Sequence, residues 1–214
     1  MEDFVVIGLF NKGGLLVWPI LFCSLFGTTI FFDRLLRYRK ILKQHENIEN
    51  VYQLVDEGKF EDAQDLLVRT SRTNPTAAKR IILEALNTQE SDRETLEMVL
   101  VHGVEREIAH LSRYLDTLSV LGSTAPLLGL LGTVVGMIKA FSVVQNMGGS
   151  VNAAVLAGGI WEAMLTTAFG LTVAIPLVFF HNHLEGKLHY IQEDLEEVVV
   201  NFIKAWSKGH NHVN

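Results

Sequence analysis

Three long stretches of this 214-residue chain carry almost no charge, and they restrict its possible folds more than any other feature. They are 15–32, 117–138 and 140–184, and the third contains one acidic residue, Glu162, and no lysine or arginine. As a helix, a charge-free run of about 18 residues or more can cross the roughly 30 Å hydrocarbon core of a membrane. The sequence therefore predicts an all-α integral membrane protein with three transmembrane helices. The alternative is a soluble bundle of buried helices.

The basic residues are placed unevenly, and their placement predicts how the chain is oriented in the membrane. Of the 18 lysines and arginines, 13 lie between Arg34 and Arg113, and none lies in 141–155. Cytoplasmic loops are enriched in lysine and arginine, so segment 34–116 and the C-terminal tail are predicted to be cytoplasmic and the N-terminus outside. The start, MEDFVVIGLF, lacks the basic region of a cleavable signal peptide, and we expect a short interfacial helix there.

These expectations divide the chain into seven segments. They are an outside interfacial segment (1–14), transmembrane helix 1 (15–33), a cytoplasmic helical segment (34–116), transmembrane helix 2 (117–142), an outside loop (143–150), transmembrane helix 3 (151–184) and a cytoplasmic helical tail (185–214). Within the cytoplasmic segment, turn signals predict two short helices broken at Gly58 and another short helix after Pro75.

Two of the three transmembrane helices are predicted to be long and to extend into the cytoplasm. Ser91 and Glu94 have the spacing of a capping box, and apolar residues recur at three and four residues over 96–118. We therefore expect one helix that begins near Asp92 and runs directly into the second span. Beyond the third span, apolar residues over 184–202 alternate steps of four and three, as in a heptad seam. Such helices form a scaffold, so we do not expect an enzyme.

Small residues recur along the second and third spans at intervals of three and four. They are Gly129, Gly132, Thr133 and Gly136 in the second span, and Gly159, Ala163, Thr167 and Gly170 in the third. In lipid, small residues at these intervals allow helix backbones to approach closely. We therefore assign the five glycines and the alanine to helix packing. The pattern predicts association of helices, in one chain or between copies, and nothing more specific.

The acidic residue of the third span, Glu162, needs its own explanation. A charged side chain near the bilayer centre costs roughly 2.5–3.5 kcal/mol, and such residues face a bundle interior or a hydrated path. A helical rise of about 1.5 Å per residue places Glu162 about 15 Å and Thr133 about 13 Å below the outer surface. Helical spacing favours Thr166 as the hydroxyl on the same face as Glu162. Two roles remain open: an ion-pathway carboxyl, and a neutral acid hydrogen-bonded across a helix interface.

The remaining features do not indicate a metal, a cofactor or a nucleic acid as a ligand. Cys23 is the single cysteine and falls in the first span, where we interpret it as a small packing residue. The HNH sequences at 181–183 and 210–212 separate their histidines by about 200° around a helix, so one pair cannot chelate a metal. No zinc-protease, P-loop or serine-nucleophile motif is present. The formal net charge of −6 gives no hint of nucleic-acid binding.

The second and third spans together resemble a known family. STAPLLGLLGTVVGMIKAF (123–141), followed after a charge-free turn by GGIWEAMLTTAFGLTVAIPLVFFHN (158–182), is similar to the paired signature of the ExbB/TolQ proteins. These proteins belong to the MotA/TolQ/ExbB proton channel superfamily. The resemblance also covers the predicted order of spans and cytoplasmic segments. The three predicted spans differ from the four of MotA, which argues against a flagellar stator.

The resemblance implies a function, partners and site residues. It implies a homopentamer in the bacterial inner membrane, with ExbD/TolR-like subunits in its central pore. Proton-motive force then drives mechanical work that reaches a TonB- or TolA-like protein. The implied ion-pathway residues are Glu162, Thr133 and Thr167, and on this ground we take Thr167 in place of Thr166. Four questions stay open: ExbB-type transport or TolQ-type envelope maintenance, the transported cargo, sodium in place of protons, and a non-conducting membrane scaffold for a partner protein.

Overall fold

The structure, a computed structural model, describes residues 15–43, 48–73, 76–88, 93–146 and 153–213. In these residues all regular secondary structure is helical, which confirms the predicted all-α fold. The seven helices are α1 (Val17–Lys43), α2 (Glu49–Asp56), α3 (Phe60–Thr73), α4 (Ala77–Leu86), α5 (Arg93–Ser112), α6 (Leu115–Asn146) and α7 (Ala153–Val213). The predicted interfacial helix over 1–14 and the capping residue Ser91 lie outside the described residues.

Three stretches are helical and apolar enough to cross a membrane, as the sequence predicts. They lie within Val17–Leu42, Arg93–Gln145 and Leu156–His210. The second and third continue far beyond the length that a bilayer requires, so the prediction of two long helices also holds. α6 continues through Pro126 and α7 through Pro176. Proline is tolerated inside membrane helices because neighbouring groups satisfy the freed carbonyl.

The prediction of one unbroken helix leading into the second span is wrong at one point. Two turn residues, Arg113 and Tyr114, separate α5 from α6, and Tyr114 has a φ of 74°. A left-handed conformation at a residue other than glycine costs roughly 1–2 kcal/mol. The guanidinium of Arg34 lies 5.1 Å from the centre of the Tyr114 ring, and this cation–π contact offsets part of the cost. The apolar spacing continues across the turn, so the sequence pattern gives no sign of it.

The helices form two compact units. The first contains the chain up to Arg34 together with Tyr114–Leu184, and its three helices pack on one another. A Cβ atom at Gly27 of α1 would lie 3.1 Å from the Cδ1 of Leu177 and 3.4 Å from the Cδ1 of Leu118. α1 therefore contacts both α6 and α7 at this level.

The second unit contains Leu35–Arg113 and the chain from Glu185 on. Two ion pairs join α4 to α5: Arg80 lies 2.8 Å from Glu107, and Arg106 pairs with Glu84. The hydrogen bond from Arg106 holds the pKa of Glu84 below its ordinary value. Both pairs are at least partly exposed, so they fix the register of the two helices more than they stabilise the fold.

The tail of α7 packs on the short helices of the second unit. Residues of the predicted heptad seam are buried at Leu188, Ile191, Leu195 and Phe202. Between Leu195 and Phe202 the spacing predicts burial of Val198, but Val198 is only half-buried and its neighbour Val199 is buried. The hydroxyl of Tyr52 in α2 donates to the carbonyl of Val198 over 3.4 Å. The helical tail predicted by the sequence therefore continues the third long helix without a break, up to Val213.

Candidate functional site

The site is built on two helices, α6 and α7, whose small residues place them in close contact. A Cβ atom at Gly136 would lie 2.8 Å from the Cβ of Ala163. A Cβ atom at Gly132 would lie 2.7 Å from the Cβ of Thr166. Contacts between real Cβ atoms and other heavy atoms are not this short, so neither glycine can carry a side chain without separating the helices.

The same contact continues in both directions along the two helices. Towards the end of α6, Gly159 faces Ala140, and towards its start, Gly170 faces the carbonyl of Ala125 and the backbone of Gly129. All six residues that the sequence assigns to helix packing therefore lie in this one interface within the chain. Sequence reasoning missed their partners Ala125 and Ala140, although both are small residues four positions from glycines in the stripe.

Glu162 lies next to this interface on α7. Its neighbour Ala163 is buried, Trp161 is exposed, and Glu162 itself is half-buried. The hydroxyl of Thr166 donates to the Glu162 carbonyl oxygen over 3.0 Å, as is common for threonine four residues along a helix. In the described part of the chain no hydrogen bond or ion pair is seen from the Glu162 carboxyl group. Glu162 thus borders the packed pair, and the cross-helix contacts of the described residues do not include its carboxyl group.

The two threonines after Glu162 occupy different environments. Thr166 is buried against Gly132, with 2% of its surface exposed. Thr167 is half-buried, and its hydroxyl donates across the interface to the carbonyl oxygen of Gly129 over 2.9 Å. The hydrogen bond that crosses the interface at this level therefore comes from Thr167 and not from the carboxyl. Helical spacing alone favours Thr166. It does not show that the Thr166 side chain packs against Gly132 of α6.

Thr133 lies one residue after Gly132 on α6. Its hydroxyl donates to the carbonyl oxygen of Leu130 over 2.6 Å, and its side chain lines an open groove of about 690 Å³. Other residues of the groove are Met137, Phe141 and Gln145, all on α6. Each of the three threonine hydroxyls donates to a backbone carbonyl. Thr133 and Thr167 are only half-buried, so their remaining lone pairs can accept a hydrogen bond from water.

Other candidate residues lie outside the contact between α6 and α7. Cys23 is buried in α1, in keeping with a packing role. In the first HNH sequence, His183 stacks on Phe179 with 6.3 Å between the ring centres. The side chains of residues 211 and 212 in the second HNH sequence lie outside the description. Among the described residues, no group of three or more histidine, cysteine, aspartate or glutamate side chains is arranged to hold a metal ion.

Much of the apolar surface of the spans is exposed in the single chain. In the most apolar window of the second membrane-length stretch, only 17% of the residues are buried inside the chain. Exposed residues of α6 include Leu127, Leu130, Val134, Ile138 and Phe141. A surface of this kind in a membrane protein contacts lipid or other protein chains.

Comparison with known proteins identifies the family to which this chain belongs. Residues 73–197 match the model of the MotA/TolQ/ExbB proton channel family, a range that includes Thr133, Glu162 and Thr167. The chain is 33% identical over 168 residues to an ExbB-like protein of Synechocystis, covering 78% of this chain and 65% of that protein. It is 27% identical to a biopolymer transport protein of ExbB type from Vibrio cholerae, covering 92% of this chain and 86% of that protein. It is 27% identical to the biopolymer transport protein ExbB of Salmonella typhimurium, with 96% and 88% covered. With its three membrane-length helices, this chain belongs to the MotA/TolQ/ExbB proton channel family.

Proposed function

We propose that the chain is the channel subunit of an ExbB/TolQ-type motor in the bacterial inner membrane. With an ExbD/TolR-like partner in its pore, it converts proton-motive force into mechanical work for outer-membrane transport or envelope maintenance. The family match and the biopolymer transport proteins among its relatives support this proposal. One elementary charge crossing about 100 mV releases roughly 2.3 kcal/mol, so a few protons suffice for a conformational step.

One observation carries the proposal, and it is the environment of Glu162. The residue is the single acidic position in a long apolar stretch of α7, and it is half-buried beside the close contact of α6 and α7. A side chain used only to join the helices would direct its carboxyl group into the interface, where Thr167 already makes the hydrogen bond. A half-buried carboxyl group beside the interface, which makes no hydrogen bond across it, supports a role in proton exchange with water or with a partner chain.

Thr133 and Thr167 complete the proposed ion pathway. The hydroxyl of each donates to a carbonyl of α6, and its remaining lone pairs can accept from a water molecule. Thr133 lines the open groove on α6. The buried position of Thr166 supports the choice of Thr167, because only 2% of the surface of Thr166 is exposed.

The proposed assembly is a homopentamer around the partner helices. The glycine stripes support close packing of α6 on α7 within one chain, so they no longer argue for contacts between copies. Support comes instead from the exposed apolar surface of α6, which continues over several turns. In the proposed orientation the N-terminus is outside, and both 34–116 and the tail are cytoplasmic, because the basic residues are concentrated there.

The decisive test is Glu162→Gln in cells and in vesicles that contain the partner. Glutamine keeps the size and hydrogen bonding of a protonated glutamate but cannot ionise. We expect it to abolish partner-dependent proton flux and energised uptake, with normal abundance and oligomer size by native mass spectrometry. Thr133→Val and Thr167→Val should reduce flux only partly, because each removes one hydroxyl of a water chain. Thr166→Val serves as the matched control and should keep nearly full flux.

Each rival has its own outcome in this experiment. An active Glu162→Gln variant at normal abundance would leave a non-conducting scaffold as the function. Flux that requires sodium and ignores a proton gradient would indicate a sodium-driven relative. Rescue of a strain lacking the uptake system, but not of one lacking the envelope system, would assign the ExbB role over the TolQ role.

A further inference from the structure

The first helix, α1, has one face that packs within the chain and one that does not. Phe31, Leu35 and Tyr38 are buried on the inner face. The opposite face exposes large apolar side chains along the helix: Trp18, Phe22, Leu25, Phe32 and Leu36. Since these recur at three, four and seven residues, they lie on one stripe of the helix surface.

The length of this stripe matches the apolar part of a membrane. From Trp18 to Leu36 the helix rises by about 27 Å, close to the roughly 30 Å of a hydrocarbon core. Trp18 is at one end, which is the level that tryptophan prefers at a membrane interface. In a helix that crosses a membrane, an exposed apolar stripe of this length faces lipid chains, and the residues that follow Leu36 reach the level of the lipid headgroups.

Five basic residues follow the span, and the structure divides them into different roles. Arg34 turns inward: it is buried, contacts the ring of Tyr114 and lies 3.2 Å from Asp33. The Nε of Arg34 is within ion-pair distance of the Asp33 carboxylate, but it forms no hydrogen bond. Arg37 also has an interaction within the chain. The side chain of Lys43 is outside the description.

Arg39 and Lys40 are the two that continue the lipid-facing stripe. They are exposed, and they lie three and four residues beyond Leu36, on the same face of α1. Two cations directly beyond an exposed apolar side chain match an amphipathic molecule with an anionic head and an apolar tail. We propose that this end of α1 binds the headgroup of an anionic phospholipid through Arg39 and Lys40, with an acyl chain against Leu36. This inference rests on α1 crossing a membrane and is independent of the ion pathway.

A local fluorescence probe tests the proposal. Leu36→Trp is placed at a 65% exposed position and reports which lipid contacts that site. The full chain is reconstituted in phosphatidylcholine vesicles that contain phosphatidylglycerol, with bromine on the acyl chains of one lipid or the other as quencher. The signal of Trp18, Trp161 and Trp206 is measured in the parent chain and subtracted. We expect brominated phosphatidylglycerol to quench more strongly than brominated phosphatidylcholine at equal mole fraction.

The charge variants decide whether Arg39 and Lys40 cause that preference. In the Leu36→Trp background, Arg39→Gln with Lys40→Gln should lower the preference for phosphatidylglycerol, by up to roughly fivefold for each cation removed. Arg39→Lys with Lys40→Arg should retain it. Arg69→Gln with Lys204→Gln removes the same charge from two other exposed positions and should also retain it.

Four outcomes would overturn the proposal. Equal quenching by both lipids would mean that the stripe contacts lipid without headgroup selection. Absence of quenching by either lipid would mean that a second copy or another protein covers the face. An unchanged preference in the glutamine pair would assign the selection to other residues. Displacement of phosphatidylglycerol by soluble glycerol phosphate would make the site one for a free phosphate.

Discussion

At the scale of single residues, the α6–α7 pair separates side chains that look equivalent in the sequence. Thr166 and Thr167 are adjacent, yet Thr166 packs on Gly132 and Thr167 bonds to the carbonyl of Gly129. One position therefore contributes shape and the other a cross-helix hydrogen bond. The hydrogen bond across the interface does not involve the carboxyl of Glu162, which leaves that group available for the proposed ion pathway.

The contact at Gly132 makes a prediction about packing. In Gly132→Ala the new methyl group would meet the Cβ and Cγ2 of Thr166, and threonine is too stiff at χ1 to move aside. We expect a loss of about 1–3 kcal/mol, seen as a lower midpoint of thermal unfolding in detergent. Gly158→Ala is the matched control, since a methyl group there has no heavy atom within 4 Å. Equal midpoints for the two variants would contradict this account of the interface.

At the scale of helices, two left-handed residues lie in turns between consecutive helices. Gly58, with a φ of 74°, separates α2 from α3, and Tyr114, with the same φ, lies between α5 and α6. Glycine adopts this conformation at no steric cost. Tyrosine does not, and its ring contact with Arg34 offsets part of the steric cost.

The turn at Gly58 can be tested by a pair of alanine variants. Gly58→Ala places a Cβ atom in a left-handed residue and should destabilise the α2–α3 turn by about 1 kcal/mol, or roughly fivefold in local opening. Gly186→Ala is made inside α7, where a Cβ atom has open space, and should be neutral or slightly stabilising because alanine favours helix. Amide hydrogen exchange over 49–73 measures the first effect. Unchanged exchange in Gly58→Ala would mean that the turn readily adopts another conformation.

At the scale of the whole molecule, the protein is a membrane member of a proton channel family with a second unit of short helices. The chain spans 65% of the length of its Synechocystis relative but 86% and 88% of the Vibrio cholerae and Salmonella typhimurium proteins. The orientation that we propose for it in the membrane rests on the 13 basic residues between Arg34 and Arg113.

Topology reporters test that orientation directly. In the proposed orientation, a green fluorescent protein fused after Asn214, or inserted near Pro75, should fluoresce because it would be cytoplasmic. Alkaline phosphatase inserted at Gly148–Gly149 should be active because it would be outside. The inverse fusions at each site are the controls and should be inactive. An active phosphatase near Pro75 would reverse the proposed orientation and with it the direction of proton flow.

The sequence by itself determined the class of fold, and it predicted which helices carry the candidate site. In lipid, a helix satisfies the backbone N–H and C=O groups of a continuous charge-free run within the run itself. The all-α architecture and its three long apolar helices therefore follow from composition and spacing. The stripes of small residues likewise predict close helix contacts, because backbone approach requires small side chains wherever the partner lies.

Only the tertiary structure decided which helix packs against each stripe of small residues. A periodic pattern marks a face but not its partner, so the sequence could not tell whether the glycines join α6 to α7 or one copy to another. Nor could it show that Thr166 packs against the partner helix while Thr167 makes the hydrogen bond across the interface. These contacts depend on the residue opposite each threonine, Gly132 or Gly129. The turn at Tyr114 was hidden for the same reason: its compensating contact comes from Arg34, eighty positions earlier in the chain.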